Sequence, residues 1–67
     1  MIPVKSTSIK AVEHQSALSA LKVEFQNGNK YIYSPVDKKQ YQAFMEAKSK
    51  GKHLNEHFRG KGKRVFQ

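Results

Sequence analysis

Residues 21–33 carry the strongest structural pattern in the chain. Apolar and charged residues alternate through LKVEF at positions 21–25, as expected of a strand with one buried face. The dipeptide NG at positions 27–28 follows, and it is among the most specific short-range signals for a hairpin turn. KYIY at positions 30–33 then supplies residue types that favour strands. The sequence therefore predicts a β-hairpin at the centre of the chain.

The length of the hairpin loop decides which face carries Tyr31 and Tyr33. A two-residue loop in a type I′ turn would pair Val23 with Ile32, which places both tyrosines on the solvent face as a stacking platform for bases. A three-residue loop with Gly28 in a left-handed bulge would pair Val23 with Tyr31 and put both tyrosines on the core face. The bulged alternative is favoured, because so small a chain needs the wider apolar face to cover a helix.

Two helices are predicted after the hairpin. Ser34 is expected to cap the first helix, with Pro35 at its first position and Asp37 reaching back to the Ser34 amide. That helix should run to residue 48 or 49 and stop at Gly51, which tolerates the left-handed backbone of a helix end. A short second helix is expected over residues 52–58.

These elements combine into an α+β fold. A first strand over residues 7–14 joins the hairpin in a small antiparallel sheet of about three strands. The main helix packs on one face of this sheet, and the short C-terminal helix follows it. With 67 residues, the chain has room for a single domain, residues 1–67. Residues 61–67 within it are expected to form a basic, mobile tail.

Positive charge dominates the composition. Thirteen Lys and Arg residues against five Asp and Glu residues give a formal net charge of +8 at pH 7. Such a surface attracts phosphates, and each phosphate contact releases counterions. We therefore expect the basic residues beyond the main helix to bind nucleic acid through phosphate contacts. The candidate phosphate-binding residues are Lys48, Ser49, Lys50, Gly51, Lys52, Arg59, Lys61, Lys63 and Arg64. Tyr31, Tyr33 and Phe66 would stack on bases if they are exposed.

The sequence gives little support to catalysis or to a bound cofactor. The hydroxyl cluster at residues 6–8 has no identifiable base, so no catalytic residue is predicted. His53 and His57 share a helical face, but a zinc site needs a third protein ligand, so neither a metal nor another cofactor is predicted. No apolar run approaches the ~20 residues of a membrane span, and the absence of cysteine suits a reducing compartment. A non-catalytic cytoplasmic protein with no membrane contact is expected.

Several short segments along the chain recur together in a known family. They are Ser8-Ile9, Leu21-x-Val23-x-Phe25, Gly28, Tyr31-x-Tyr33, Ala47-x-Ser49-Lys50-Gly51, Asn55 and Arg59-Gly60. In this combination, the chain resembles the KTSC domain over roughly residues 4 to 60. That family is named from the C-terminus of some lysyl-tRNA synthetases and includes small free-standing proteins of bacteria and phages. The resemblance implies a link to tRNA and therefore favours RNA over DNA as the partner.

A protein-interaction module is the alternative hypothesis. A cationic surface steers onto an acidic protein just as it steers onto phosphates, so a phage-encoded protein that docks on an acidic surface of a host protein would carry the same charge. Capture of a partner that survives nuclease treatment would favour this alternative. An open sheet edge at the first or third predicted strand would also let two copies pair, so we expect a monomer or a weak homodimer.

Overall fold

The computed structural model describes residues 1–65, apart from the side chain of Arg64, and contains a five-stranded antiparallel sheet with two helices. The elements in chain order are β1 (Ile2–Pro3), β2 (Ile9–Gln15), β3 (Ala20–Phe25), β4 (Lys30–Tyr33), α1 (Lys38–Glu46), α2 (Lys50–His57) and β5 (Gly62–Val65). The strands lie in the sheet in this same order. Both helices belong to the connection along the chain between β4 and β5, which pair with each other. The predicted α+β class is confirmed, and the prediction of about three strands is too low.

The hairpin between β3 and β4 has the three-residue loop. Val23 pairs with Tyr31, and the Phe25 amide donates to the Asn29 carbonyl at 2.8 Å, which closes the loop over residues 26–28. Gly28 adopts φ +90°, a conformation that the left-handed bulge needs and that glycine adopts without steric cost. The favoured register is confirmed. Both strand tyrosines therefore lie on the sheet face that packs against the helices.

One face of the sheet packs against both helices and forms the core. Its buried side chains come from β2, β3, the segment before α1, the two helices and the turn after α2. They are Ile9, Val12, Leu21, Val23, Val36, Phe44, Leu54 and Phe58. Leu54 and Phe58 are four residues apart, so α2 and its C-terminal turn present one apolar stripe to the sheet. This stripe holds α2 against the sheet face that carries the β4 tyrosines.

The start of α1 lies three residues beyond its predicted position. The Asp37 carboxylate accepts from the Gln40 amide at 2.8 Å, and the Gln40 side chain accepts from the Asp37 amide at 3.0 Å. This reciprocal capping box satisfies two amides that the first helical turn leaves without partners. Ser34 and Pro35, predicted as the cap and the first helical residue, precede the helix and are joined by a cis peptide bond.

The predicted boundary between the two helices is also wrong. α1 ends at Glu46, and α2 already begins at Lys50. Ser49 is the N-cap of α2, because its hydroxyl accepts from the Lys52 amide at 3.4 Å. Gly51 therefore belongs to the first turn of α2 and does not terminate α1. A β-carbon at residue 51 would lie 2.6 Å from Oγ of Ser8, so glycine permits this turn to approach the loop before β2.

Two strands were not predicted from the sequence. β1 is two residues long and pairs with β2, and β5 pairs with β4. β5 occupies residues 62–65 of the segment that was predicted to be a mobile tail; Phe66 lies outside the described residues. The outer strands of the sheet are therefore β1 and β5. The first and third predicted strands, β2 and β4, are interior, so the expectation that either presents an open edge is wrong, and the monomer or weak homodimer stays a prediction.

Candidate nucleic-acid interface

The residues around the start of α2 form a groove that we call the lysine groove. Its volume is about 370 Å³, and it is lined by Lys5, Ser6, Thr7, Lys48, Ser49 and Lys50. The Ser6 hydroxyl accepts from the amides of Ser8 and Ile9, both at 3.2 Å, and so holds the loop before β2 in place. Across residues 1–65, none of the three lysines has a carboxylate within ion-pair distance. The lysine groove therefore combines uncompensated positive charge with hydroxyl groups.

A second depression, which we call the aromatic cleft, lies between β4 and α2. Its volume is about 260 Å³, and it is lined by Phe25, Tyr31, Tyr33, Gly51, Leu54, Asn55, Arg59, Gly60 and Gly62. The ring of Tyr31 meets the ring of Phe25 edge-on at 5.5 Å between centroids. The Tyr31 and Tyr33 rings are inclined by only 26° at 6.2 Å. Half-buried aromatic rings thus form the floor of the aromatic cleft.

Tyr33 anchors this floor to the rest of the protein. Its ring lies 6.3 Å from the buried Phe58 ring, between centroids. Burial, and secondarily the neighbouring Tyr31, raises the pKa of the Tyr33 hydroxyl above its ordinary value of 10.0. The Tyr33 hydroxyl is therefore uncharged throughout the physiological pH range and adds no negative charge beneath the aromatic cleft.

The wall of the aromatic cleft carries two polar side chains. Asn55 lies on the same face of α2 as Gly51, one turn further along, and Arg59 follows the helix end by two residues. Both side chains are exposed. In the described part of the chain, neither makes a hydrogen bond or an ion pair. An amide and a guanidinium group are thus available beside the aromatic floor.

The lysine groove and the aromatic cleft adjoin each other at the first turn of α2. Lys50 lines the groove and the next residue, Gly51, lines the cleft. We call the combined surface the lysine–tyrosine face. It brings together Lys48, Ser49, Lys50, Gly51 and Arg59 of the predicted phosphate-binding set, together with the predicted stacking residues Tyr31 and Tyr33.

The remaining predicted cations do not join this face. Lys61 and Lys63 line a separate groove with Ile32 and Val65, and the Lys63–Ile32 pairing across β5 and β4 places Lys63 on the sheet face away from the helices. The Lys61 ammonium group donates to the Pro35 carbonyl at 3.2 Å, as the Lys50 ammonium group of the lysine groove does to the Ala47 carbonyl. The basic residues predicted to bind phosphate therefore do not all lie on one surface.

Lys52 and Arg64 are the two remaining residues of the predicted phosphate-binding set. Lys52 lies 3.8 Å from a carboxylate oxygen of Glu56 in an exposed i,i+4 pair, which screens part of its charge. The side chain of Arg64 lies outside the described residues, although its backbone pairs with Tyr31 in the sheet.

Sequence reasoning missed Lys5 as a site residue. Lys5 precedes the hydroxyl run at residues 6–8, and nothing in that local pattern indicates that it meets residues 48–50. The close approach of Gly51 to Ser8 brings the two segments together. Only the tertiary fold provides that information.

The histidine pair on α2 forms a separate cluster. The His53 and His57 rings lie 4.3 Å apart between centroids, and His53 also meets the Phe44 ring edge-on at 5.9 Å. Burial lowers the pKa of His53, the nearby His57 lowers it further, and Glu56 opposes both effects. Within residues 1–65, no group of three or more metal-ligating side chains occurs, and neither helix has the length and apolarity that a bilayer span requires.

Known proteins match nearly the whole length of the chain. The model of the KTSC domain matches residues 5–61. The chain belongs to the KTSC domain family. It is 33% identical over 58 residues to an uncharacterized protein of Stutzerimonas stutzeri (strain A1501), covering 87% of this chain and 82% of the relative.

The fold of this KTSC domain also agrees with a solved structure. The crystal structure of a KTSC domain protein from Yersinia pestis superimposes with a TM-score of 0.84 at 28% sequence identity, covering 96% of this chain and 93% of the other. The matched residues 5–61 include the whole lysine groove and all of the aromatic cleft except Gly62. Both depressions are therefore built on the family fold.

Proposed function

We propose that this KTSC domain is a non-catalytic module that binds nucleic acid through phosphate contacts, with RNA favoured over DNA. The observation that carries the proposal is the lysine–tyrosine face, where unpaired cations lie beside half-buried aromatic rings. Cations and stacking platforms together are typical of proteins that bind single-stranded nucleic acid. The tRNA link implied by the family resemblance is the reason for favouring RNA. A cytoplasmic location belongs to the same proposal.

Phosphate binding would account for the excess of positive charge. Lys5, Lys48 and Lys50 surround the lysine groove, and Arg59 lies in the adjoining aromatic cleft. Each neutralised phosphate of a single strand contributes about 0.7 to the slope of log affinity against log salt concentration. If these cations each meet one phosphate, we expect a slope of roughly −3. Single strands suit the face better than duplexes, because only unpaired bases expose their flat faces to aromatic rings.

Binding of a fluorescently labelled single-stranded RNA, measured by anisotropy over a salt series, tests the proposal. We expect binding at about 50 mM salt that weakens steeply by about 200 mM. The double charge reversal Lys50→Glu with Arg59→Glu should abolish most of it. The matched control is Lys10→Glu with Lys39→Glu, which changes the net charge equally at two exposed lysines that line neither depression of the face.

The outcomes separate the two hypotheses for this chain. Absence of RNA and DNA binding at about 50 mM salt would overturn the proposal, since electrostatic binding is strongest there. If a protein partner were then captured from nuclease-treated lysate and lost with the same double variant, docking on an acidic protein surface would replace it. Equal loss of RNA binding in both double variants would mean that net charge alone, and not this face, carries the binding.

A further inference from the structure

We infer that the aromatic cleft is a subsite for one nucleotide unit of an RNA strand. In this arrangement, the base lies against the ring of Tyr31, the Asn55 amide hydrogen-bonds to the edge of the base, and the Arg59 guanidinium pairs with the adjoining phosphate. The inference rests on the proposed function and deepens it, because it assigns base contacts to one part of the face and backbone contacts to the other.

The floor of the cleft has the shape and chemistry that a base requires. The Phe25, Tyr31 and Tyr33 rings line one continuous depression, and Tyr33 is fixed from behind by Phe58 at 6.3 Å between centroids. A preformed aromatic surface of this kind binds a planar ring without first having to become ordered. Every base has a π-face, so stacking on Tyr31 does not depend on base identity.

The wall of the aromatic cleft adds an amide and a guanidinium group to the aromatic floor. An asparagine amide carries both donors and an acceptor, and in residues 1–65 no protein group occupies those of Asn55. The Arg59 guanidinium presents a planar set of donors that matches phosphate oxygens. Because stacking is tolerant of sequence, the inference assigns to the Asn55 amide the contact that distinguishes one base edge from another.

Gly60 keeps part of the approach to the cleft open. Gly51, Gly60 and Gly62 are among the residues that line the cleft. A β-carbon at residue 60 would meet no heavy atom within 4 Å. A sugar or phosphate attached to the base would therefore meet no side chain at Gly60.

Three other depressions in the described part of the chain lack this combination. In the larger cleft beside β2 and α1, the aromatic surface is already occupied, because the His14 ring stacks on Tyr41 at 4.7 Å. His14 is also held there through Nε2, which lies 2.8 Å from the Val36 carbonyl. The groove that contains Lys61 and Lys63 has no aromatic lining residue. The lysine groove likewise has none, so among these four depressions the aromatic cleft is the one that offers unstacked aromatic surface beside polar groups.

Two RNA-like oligomers of equal length and charge test the inference. One carries uracil or adenine bases, and the other is an abasic ribose-phosphate chain. We expect the wild-type protein to bind the base-containing oligomer about 5- to 150-fold more tightly, the range that one stacked base supplies. Tyr31→Leu should remove most of this preference, and Asn55→Ala should change the ratio between the affinities for the uracil and adenine versions of the base-containing oligomer. Tyr41→Leu and Gln42→Ala are the matched controls, because they alter a half-buried tyrosine and an exposed amide at a different cleft.

Tyrosine fluorescence provides a second measurement that does not depend on affinity. The chain has three tyrosines and no tryptophan, so in a Tyr41→Phe background the emission comes from Tyr31 and Tyr33. Base-containing RNA should quench this emission at saturation, and the abasic oligomer should leave it unchanged.

Each outcome bears on a different claim. If base-containing and abasic oligomers bind equally and with the same salt dependence, the nucleotide subsite is refuted and phosphate binding stands. If neither oligomer binds, the proposed function fails and the subsite fails with it. Should Tyr31→Leu prove unfolded, the exposed Asn55→Ala variant and the quenching measurement still decide the question.

Discussion

The ring of Tyr33 covers Gly62 so closely that a β-carbon at residue 62 would lie 2.6 Å from Cε1 of Tyr33. The two residues are directly paired across β4 and β5. This contact packs β5 against the adjoining rings of Phe25, Tyr31 and Tyr33. A segment that looks like a basic tail in the sequence thus supports the floor of the aromatic cleft.

Replacement of Gly62 by alanine should displace the Tyr33 ring. Because the ring is also packed on Phe58, it has little freedom to move, and overpacking of this kind typically costs about 1–3 kcal/mol. We expect Gly62→Ala to lower the free energy of unfolding by this amount, as measured by chemical denaturation. In a Tyr33→Leu background, the same Gly62→Ala change should cost much less, since the clashing atoms are gone. Additive effects of the two changes would contradict this account of the contact.

The capping box of α1 makes Asp37 the decisive residue at the helix start. Asp37→Ala should lower the free energy of unfolding by about 0.5–2 kcal/mol, because it leaves the Gln40 amide without its partner. Ser34→Ala is the matched control and should be almost neutral, since Ser34 lies outside the helix and its side chain makes no hydrogen bond within residues 1–65. A larger loss in the free energy of unfolding from Ser34→Ala than from Asp37→Ala would instead indicate that Ser34 caps the helix, as the sequence predicts.

These two sites illustrate how far the sequence can be interpreted. Ser34-Pro35 and Asp37-x-x-Gln40 are both valid helix starts, and local rules do not rank them. The hairpin register was predictable because only one register gives a small chain an apolar face wide enough to cover its helices. By contrast, the segment that forms β5 has no alternation of apolar residues, and its pairing comes from the sheet edge that β4 offers.

The candidate site was predictable only in its components. The aromatic pair and the basic residues at 48–50 are visible in the sequence, and they do share one face. That Lys5 joins them and that Lys61 and Lys63 do not depends on where β2 and β5 run in the sheet. Composition gives the number of cations, whereas the topology decides which of them lie together.

The stability of the domain should fall in mild acid through His53. Burial first, and His57 second, hold the pKa of His53 below its ordinary value of 6.5, against the opposing effect of Glu56. The folded state therefore binds fewer protons than the unfolded state, and stability is lost as the pH falls from the ordinary value through the lowered one. We expect a lower melting temperature at about pH 5 than at about pH 7.5.

Substitutions of the two histidines show whether this dependence has the stated cause. His53→Gln should reduce the difference in melting temperature between the two pH values. His57→Gln should reduce it by less, because burial affects the pKa of His53 more than the charge of His57 does. An unchanged pH dependence in His53→Gln would show that another group is responsible.

The division of the cations between two grooves gives the sharpest functional prediction. Lys48→Gln with Lys50→Gln and Lys61→Gln with Lys63→Gln remove the same charge, but only the first pair lines the lysine groove. The first double variant should bind single-stranded RNA more weakly and reduce the magnitude of the salt slope by about 1.4, which corresponds to two lost phosphate contacts. The second should change the slope little, because its lysines lie on a separate groove. Melting temperatures would confirm that both variants are folded, which matters because Lys50 and Lys61 each donate to a backbone carbonyl. Equal slopes for the two variants would mean that RNA responds to the total charge of the domain, and the lysine groove would then have no special part in binding.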